Sequence, residues 1–253
     1  MQTEHSGWVM RLQEAYSARR VADVLNRGYS GYNTRCELRD GCRGGAAMAM
    51  ALTPAGLLAR WALLQLPHLI AQTQSAPAVC TVFFGANDAA VSASTQSVPL
   101  EEYKTNLEAM VKLLRDAWPA CPIIIIAPPP VHEEKWDEGR GGPGGGMREL
   151  ERTRLYAQAA CEVAGRLKCE SVDLFGRLIA REDWRDCLSD GLHLAANGNH
   201  ELYDAVTAAI GSAAPHLDPE LAPPHFPFWS DVAEAADGPQ SLIPPLELKP
   251  KPT

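Results

Sequence analysis

The chain has 253 residues, 46% apolar and 21% charged, the balance of a soluble globular fold with a sizeable core. Its formal net charge of −8 argues against the basic face of a nucleic-acid binder. Its most hydrophobic stretch, residues 46–71, is broken by Pro54, Arg60 and Pro67, which excludes a membrane span of roughly 18 or more uninterrupted residues.

The N-terminus lacks the basic and apolar regions of a secretory signal. The seven cysteines, Cys36, Cys42, Cys80, Cys121, Cys161, Cys169 and Cys187, are odd in number and scattered, with no Cys-x-x-Cys pair. Neither a disulfide framework nor a zinc site is expected from them. Cys80 and Cys121 lie in apolar runs and read as small buried hydrophobes. A reducing, cytoplasmic location fits.

Helical spacing over Gly7–Arg20 places Trp8, Leu12, Ala15 and Tyr16 on one face. Val21–Leu25 reads as a short strand, followed by a glycine turn. Residues 36–60 run from a Gly/Arg/Cys loop into an Ala/Met/Leu stretch. A helix follows, interrupted near Pro67. Ala78–Phe84 is a continuous apolar strand of the kind buried on both faces of a parallel sheet. Residues 99–118 form an amphipathic helix with Glu101 and Glu102 in its first turn and a stripe of Leu107, Met110, Val111 and Leu114. "CPIIIIAPPPV" is a second buried strand, stopped by three prolines. Gly139–Gly146 is a flexible surface loop, 147–167 a helix, "SVDLF" (171–175) a strand, and 197–211 a helix begun by Asn197. This β/α alternation predicts a parallel sheet with helices on both faces, an α/β fold of three layers. The domain is expected to span 1–214. A Pro-rich tail, 215–253, is expected to dock in part and to end in disorder.

In such sheets ligands bind beyond the carboxyl ends of the strands. "NRGYSGYN", "GAND" and "PPPVHEEKW" follow strands, and "SDGLHL" precedes the last helix. Asp190 and His193 have the spacing of an acid that orients an imidazole. Asp190 would fix the tautomer, and His193 would act as general base and then acid. The Asn87 side chain and the Gly31 N–H would donate to an oxyanion. The same residues also suit plainer roles: turns at Asp190, Asn87 and Asp88, and positive φ at Gly28 and Gly31. "HEE" at 132–134 lacks metal-ligand spacing and reads as a solvated loop. Ser30 lacks the second glycine of a nucleophile elbow, because Tyr32 stands there.

"NRGYSG", "GAND" and "SDGLH", in this order, resemble the blocks of the SGNH (GDSL-type) hydrolases. "VLNRGYSGYNTR", "FFGANDA", "VPLEEY", "PPPVHEEKW" and "LSDGLHL" are most similar to the isoamyl acetate-hydrolysing esterase branch. The resemblance implies a flavodoxin-like three-layer sandwich with five parallel strands. It implies a serine esterase that needs no metal or other cofactor and acts on small acetate-type esters. Gly31 and Asn87 match its oxyanion residues, and Asp190 and His193 its acid–histidine pair. Two departures stand out. The first block, a strand ending in Gly-Asp-Ser, has no counterpart, and the alignment expects it ahead of Met1. Cys36–Arg60 separates segments that are contiguous in the branch. Both are expected to be variants or errors of transcript prediction: a lost first exon and a retained intron. The chain is therefore read as an esterase-lineage member without its nucleophile. The alternatives are a non-catalytic member that binds esters or a protein partner, and a lipid or carbohydrate ester hydrolase of the same fold.

Overall fold

Four consecutive isoleucines organise the molecule. In a strand, successive side chains point to opposite faces. Ile123 and Ile125 enter one apolar cluster, and Ile124 and Ile126 enter another on the far side. All four are at most 4% exposed. Burying one such side chain is worth about 1.5–3 kcal/mol, so this strand alone ties both halves of the core together.

The computed structural model describes residues 7–19, 22–28, 30–34 and 62–218. Helix α1 spans Trp8–Arg19 and α2 Ala62–Gln72. Strand β1 (Cys80–Phe83) leads to α3 (Leu100–Ala117), and β2 (Ile123–Ile126) to α4 (Glu133–Asp137) and α5 (Leu150–Leu167). Strand β3 (Glu170–Val172) is followed by α6 (Leu174–Ile179) and α7 (Ala196–Ala213). The described sheet is parallel with order β1-β2-β3, pairing Cys80 with Ile123 and Ile124 with Glu170. One face carries α2, α3 and α5, and the other α1 and α7. This is the expected three-layer α/β/α arrangement.

Several expectations are corrected. Ala22–Leu25 is not a strand, and Leu25 is 66% exposed. A strand exists through its hydrogen-bonded neighbour, and the described sheet offers none beside β1 on its outer side. Three described strands therefore stand where the resemblance implied five. Pro67 does not interrupt α2, which runs through it. The proline lies on the exposed side, where water can serve the carbonyl that loses its donor. Of "SVDLF", only the first two residues are strand. Asp173 then caps α6 by accepting from the Gly176 N–H at 2.8 Å. "HEE" is not a loop, because Glu133 begins α4.

The Gly139–Gly146 loop is fixed at its C-terminal end. The buried Asp137 carboxylate accepts from the N–H groups of Gly144 and Gly146, and the Trp136 indole donates to the Gly146 carbonyl at 2.8 Å. The expected insertion at 36–60 and all of the tail beyond Asp218 lie outside the described residues. Pro215–Leu217 forms a single 3₁₀ turn. No helix among the described residues is long and apolar enough to cross a membrane.

Candidate active site

Asp190 and His193 sit in a loop closed on itself. Leu188 and Leu194 form an antiparallel bridge, and the Ser189 N–H donates to the His193 carbonyl at 2.8 Å. Gly191 makes the turn possible: its φ is +94°, and an added Cβ would lie 2.5 Å from the Trp136 nitrogen and 2.6 Å from the His132 carbonyl oxygen. The Gly191 carbonyl accepts from the His132 N–H at 2.8 Å, which binds the loop to the segment leaving β2.

Within this loop one oxygen of Asp190 accepts from the N–H groups of Leu192 (3.1 Å) and His193 (2.9 Å). The other meets His193 Nδ1 at 2.8 Å. Partial burial alone would raise the Asp190 pKa. The bonds from the His193 N–H, the His193 ring and the Leu192 N–H outweigh it and hold the carboxyl at about 2. An ionised Asp190 makes Nδ1 the protonated nitrogen and leaves Nε2 as the basic one. The His193 side chain is 67% exposed. Its ring lies edge-on to Trp136, centroids 5.8 Å apart. Arg140 stacks 3.5 Å over the same indole and reaches within 3.8 Å of Asp190.

The second half of the site stands at the carboxyl end of β1. Gly85 is obligatory there, with φ +123° and Tyr103 and Pro128 within 3 Å of an added Cβ. The Asn87 side-chain N–H donates to the Tyr32 carbonyl at 2.8 Å. Its Oδ1 accepts from Arg148 Nη2 at 3.2 Å. The same Arg148 nitrogen donates to Gln96 Oε1 at 2.7 Å, and Gln96 Nε2 donates to the Gly31 carbonyl at 3.1 Å. Gly31 has φ +80°. Gly31 and Asn87 are thus held in one network by two residues that their motifs do not contain.

Beneath them lies Asp88, fully buried. Its Oδ1 accepts from the Thr34 N–H (2.8 Å) and hydroxyl (2.6 Å), and Asn106 of α3 donates to that hydroxyl at 3.1 Å. Burial raises the Asp88 carboxyl to about 6, against the lowering effect of the Thr34 bonds. Arg148, only 6% exposed, is lowered to about 10 by burial and by Arg140, with Asp88 opposing, so it stays charged at neutral pH.

No hydrogen bond among the described residues joins the two halves directly. The link runs through the loop before α5: Trp136, beside His193, bonds to Gly146, two residues from Arg148. The described serines place no hydroxyl in a hydrogen bond to the His193 ring. Ser189 bonds only to the His193 carbonyl. Among the described residues no group of three or more His, Cys, Asp or Glu is placed to hold a metal. Arg148, Gln96, Arg140 and the Asp88–Thr34 pair escaped the sequence reading. Single residues far apart in the chain carry no spacing signal.

The family model for the GDSL-like lipase/acylhydrolase family matches residues 2–200. A GDSL esterase/lipase of Arabidopsis thaliana is 37% identical, covering 89% of this chain and 86% of its own length. The isoamyl acetate-hydrolyzing esterase 1 homolog of Homo sapiens is 34% identical, covering 92% of this chain and 83% of its own length. Among solved structures, a carbohydrate acetylesterase family member from Sinorhizobium meliloti superposes with a TM-score of 0.58 at 19% identity, over 85% of this chain and 89% of its own. That last similarity bears on the fold.

Proposed function

Because the chain belongs to the GDSL-like lipase/acylhydrolase family, we propose that its site is that of an SGNH-type serine esterase for small, acetate-type carboxylic esters. The observation that carries the reading is the 2.8 Å contact between Asp190 and His193 Nδ1, with Nε2 left open to solvent. Asp190 orients the ring and fixes its tautomer. Nε2 takes the proton of an attacking hydroxyl and returns it to the leaving alcohol. A second cycle uses water in place of the serine and frees the acid.

The Gly31 N–H and the Asn87 side chain serve the oxyanion. Removing one such donor costs about 10²–10³ in rate. Arg148 supports this role by occupying Asn87 Oδ1, which fixes the amide so that its nitrogen, with one hydrogen on the Tyr32 carbonyl, keeps a second hydrogen for the oxyanion. The likeness to isoamyl acetate-hydrolyzing relatives supports a short acyl group and a small apolar alcohol. The substrate is a free small molecule, and the reaction uses no cofactor.

Among the described residues no serine hydroxyl reaches the His193 ring. None of the described serines bonds the His193 ring, and the block that would supply Gly-Asp-Ser has no counterpart in this sequence. We therefore read the chain of 253 residues as inactive by itself. That same openness of His193 favours a second reading, a non-catalytic member that binds esters in the retained cleft.

A fluorophosphonate probe tests this. The chain as given should not label. A chain preceded by a Gly-Asp-Ser-bearing strand should label and hydrolyse p-nitrophenyl acetate, and His193→Ala should abolish both. Labelling of the chain as given, lost on His193→Ala, would refute the assignment of the missing nucleophile. Calorimetric binding of isoamyl acetate without turnover by the extended chain would favour the second reading.

A further inference from the structure

A cleft of ≈520 Å³ opens beside the starts of α3 and α5, and its lining contains none of the residues of the candidate active site. Its volume lies within the roughly 300–1,000 Å³ of small-molecule sites. The lining is polar at Ser94, Ser97 and Arg152 and apolar at Leu100 and Leu155. Leu155 is 50% exposed, an apolar side chain that the core does not use.

Arg152 carries the only charge in that lining. Its Nε donates to the carbonyls of Ala89 (3.0 Å) and Ala90 (2.9 Å), and its Nη2 to Ser97 Oγ (3.3 Å) and the Tyr156 hydroxyl (3.0 Å). All four acceptors are neutral. Among the described residues no carboxylate pairs with Arg152, and its Nη1 gives to no acceptor although it is not sealed from solvent. A guanidinium cannot shed its charge at any ordinary pH. The two serines add donors. Ser97 Oγ already accepts from Arg152, and Ser94 Oγ accepts from the Gln96 N–H at 3.2 Å, so each hydroxyl hydrogen is left to give.

We propose that this cleft is a binding site for a small alkyl monocarboxylate, with the carboxylate at Arg152 Nη1 and the Ser94 and Ser97 hydroxyls, and the alkyl chain along Leu100 and Leu155. The inference does not depend on the esterase reading.

The lining decides the class of ligand. It offers a positive charge and hydrogen-bond donors, which suit an anion, and charge-assisted bonds of this kind are the strong ones. Inorganic phosphate would use the charge and leave both leucines in water. An alcohol would cover the leucines and leave the charge unpaired, and an alkylammonium would meet a like charge. A carboxylate with a short alkyl chain satisfies both parts. It would also rest against the loop that carries Gln96, whose side chain bonds the Gly31 carbonyl and Arg148.

The test titrates the full chain with sodium hexanoate at constant ionic strength and follows backbone amides by NMR. The expected result is saturable binding in the millimolar range or tighter, with the largest shifts at Ser94, Gln96, Ser97 and Leu155. Arg152→Gln should weaken binding about tenfold or more. Leu155→Glu, a change at a half-exposed position, brings a like charge to the carboxylate's cleft and should abolish binding in a protein that still folds; it decides the matter if Arg152→Gln does not fold. Hexanol and hexylammonium should not bind. No saturable shift, equal binding of hexanol, or unchanged binding in Leu155→Glu would overturn the proposal. So would shifts confined to the Asp190–His193 loop. Acetate or inorganic phosphate binding as tightly as hexanoate would leave an adventitious ion only, and overturn it too.

Discussion

Arg148 Nη2 donates to Asn87 Oδ1 from a position only 6% exposed. The guanidinium serves three acceptors: Asn87, Gln96 and the carbonyl of Met147. A lysine ammonium is one point on a shorter stem and cannot meet all three where they stand. Arg148→Lys keeps the buried charge and strands at least one acceptor, a loss of about 1–3 kcal/mol. Urea unfolding measures it. Equal stability of the two proteins would show that the fork does not hold the network.

Asp190 supplies a prediction at the acid end of the scale. Its carboxyl is held at about 2 in the folded protein, below the usual 3.8. A lowered folded-state pKa contributes stability that is present above the unfolded value and is lost as pH falls through the folded one. The contribution should therefore fade between about pH 4 and about pH 2. Carbon-13 titration of the Asp190 carboxyl reads this directly. His193→Ala removes the ring bond and leaves the backbone ones, so the value should move part of the way back up.

Asp88 behaves in the opposite sense. Its folded value is raised to about 6. The native state holds that proton more tightly than the unfolded chain, so the stability is full below the unfolded value and is lost as pH rises through about 6. The loss is on the order of 3 kcal/mol for a fully buried carboxyl raised from 3.8 to about 6. Asp88→Asn keeps an acceptor for Thr34 and removes the titration. Its stability should stay flat between about pH 4 and about pH 7, where the wild type declines. A parallel decline in both proteins would assign the slope to another group.

Those particulars also show what the sequence made legible. The strands at 80–83 and 123–126 were readable because a continuous β-branched run has few other uses in a folded chain. Gly31, Asn87, Asp190 and His193 stood out as candidates through three short blocks in a fixed order. Ala22–Leu25 misled, because four apolar residues state a propensity and pairing needs a neighbour that the described sheet does not place there. Helix α4 is five residues long, too short to show a period. The Arg148–Gln96 network joins residues 52 positions apart, and nothing local marks either one.

Gly191 allows a sharper test of the loop that carries the acid–base pair. A methyl group there meets backbone atoms of α4 and of His132, which cannot yield as a flexible side chain would. Its φ of +94° adds strain of roughly 1–3 kcal/mol for any other residue. Gly191→Ala should lower the thermal midpoint and weaken the Asp190–His193 contact, seen as a rise in the Asp190 carboxyl pKa. An unchanged midpoint would mean that the loop is softer than its contacts imply.

The closed loop from Leu188 to Leu194 has a kinetic meaning. Its N–H groups are taken by the His193 carbonyl and the Asp190 carboxylate, its Gly191 carbonyl accepts from His132, and no hydrogen bond from the described residues of 22–34 reaches them. In hydrogen exchange, the Ser189 and His193 amides should open together with the segment leaving β2, as one cooperative unit. The glycine-and-asparagine side should exchange on its own schedule. The acid–base pair is thus a self-sufficient module, able to keep its shape while the glycine-and-asparagine side moves.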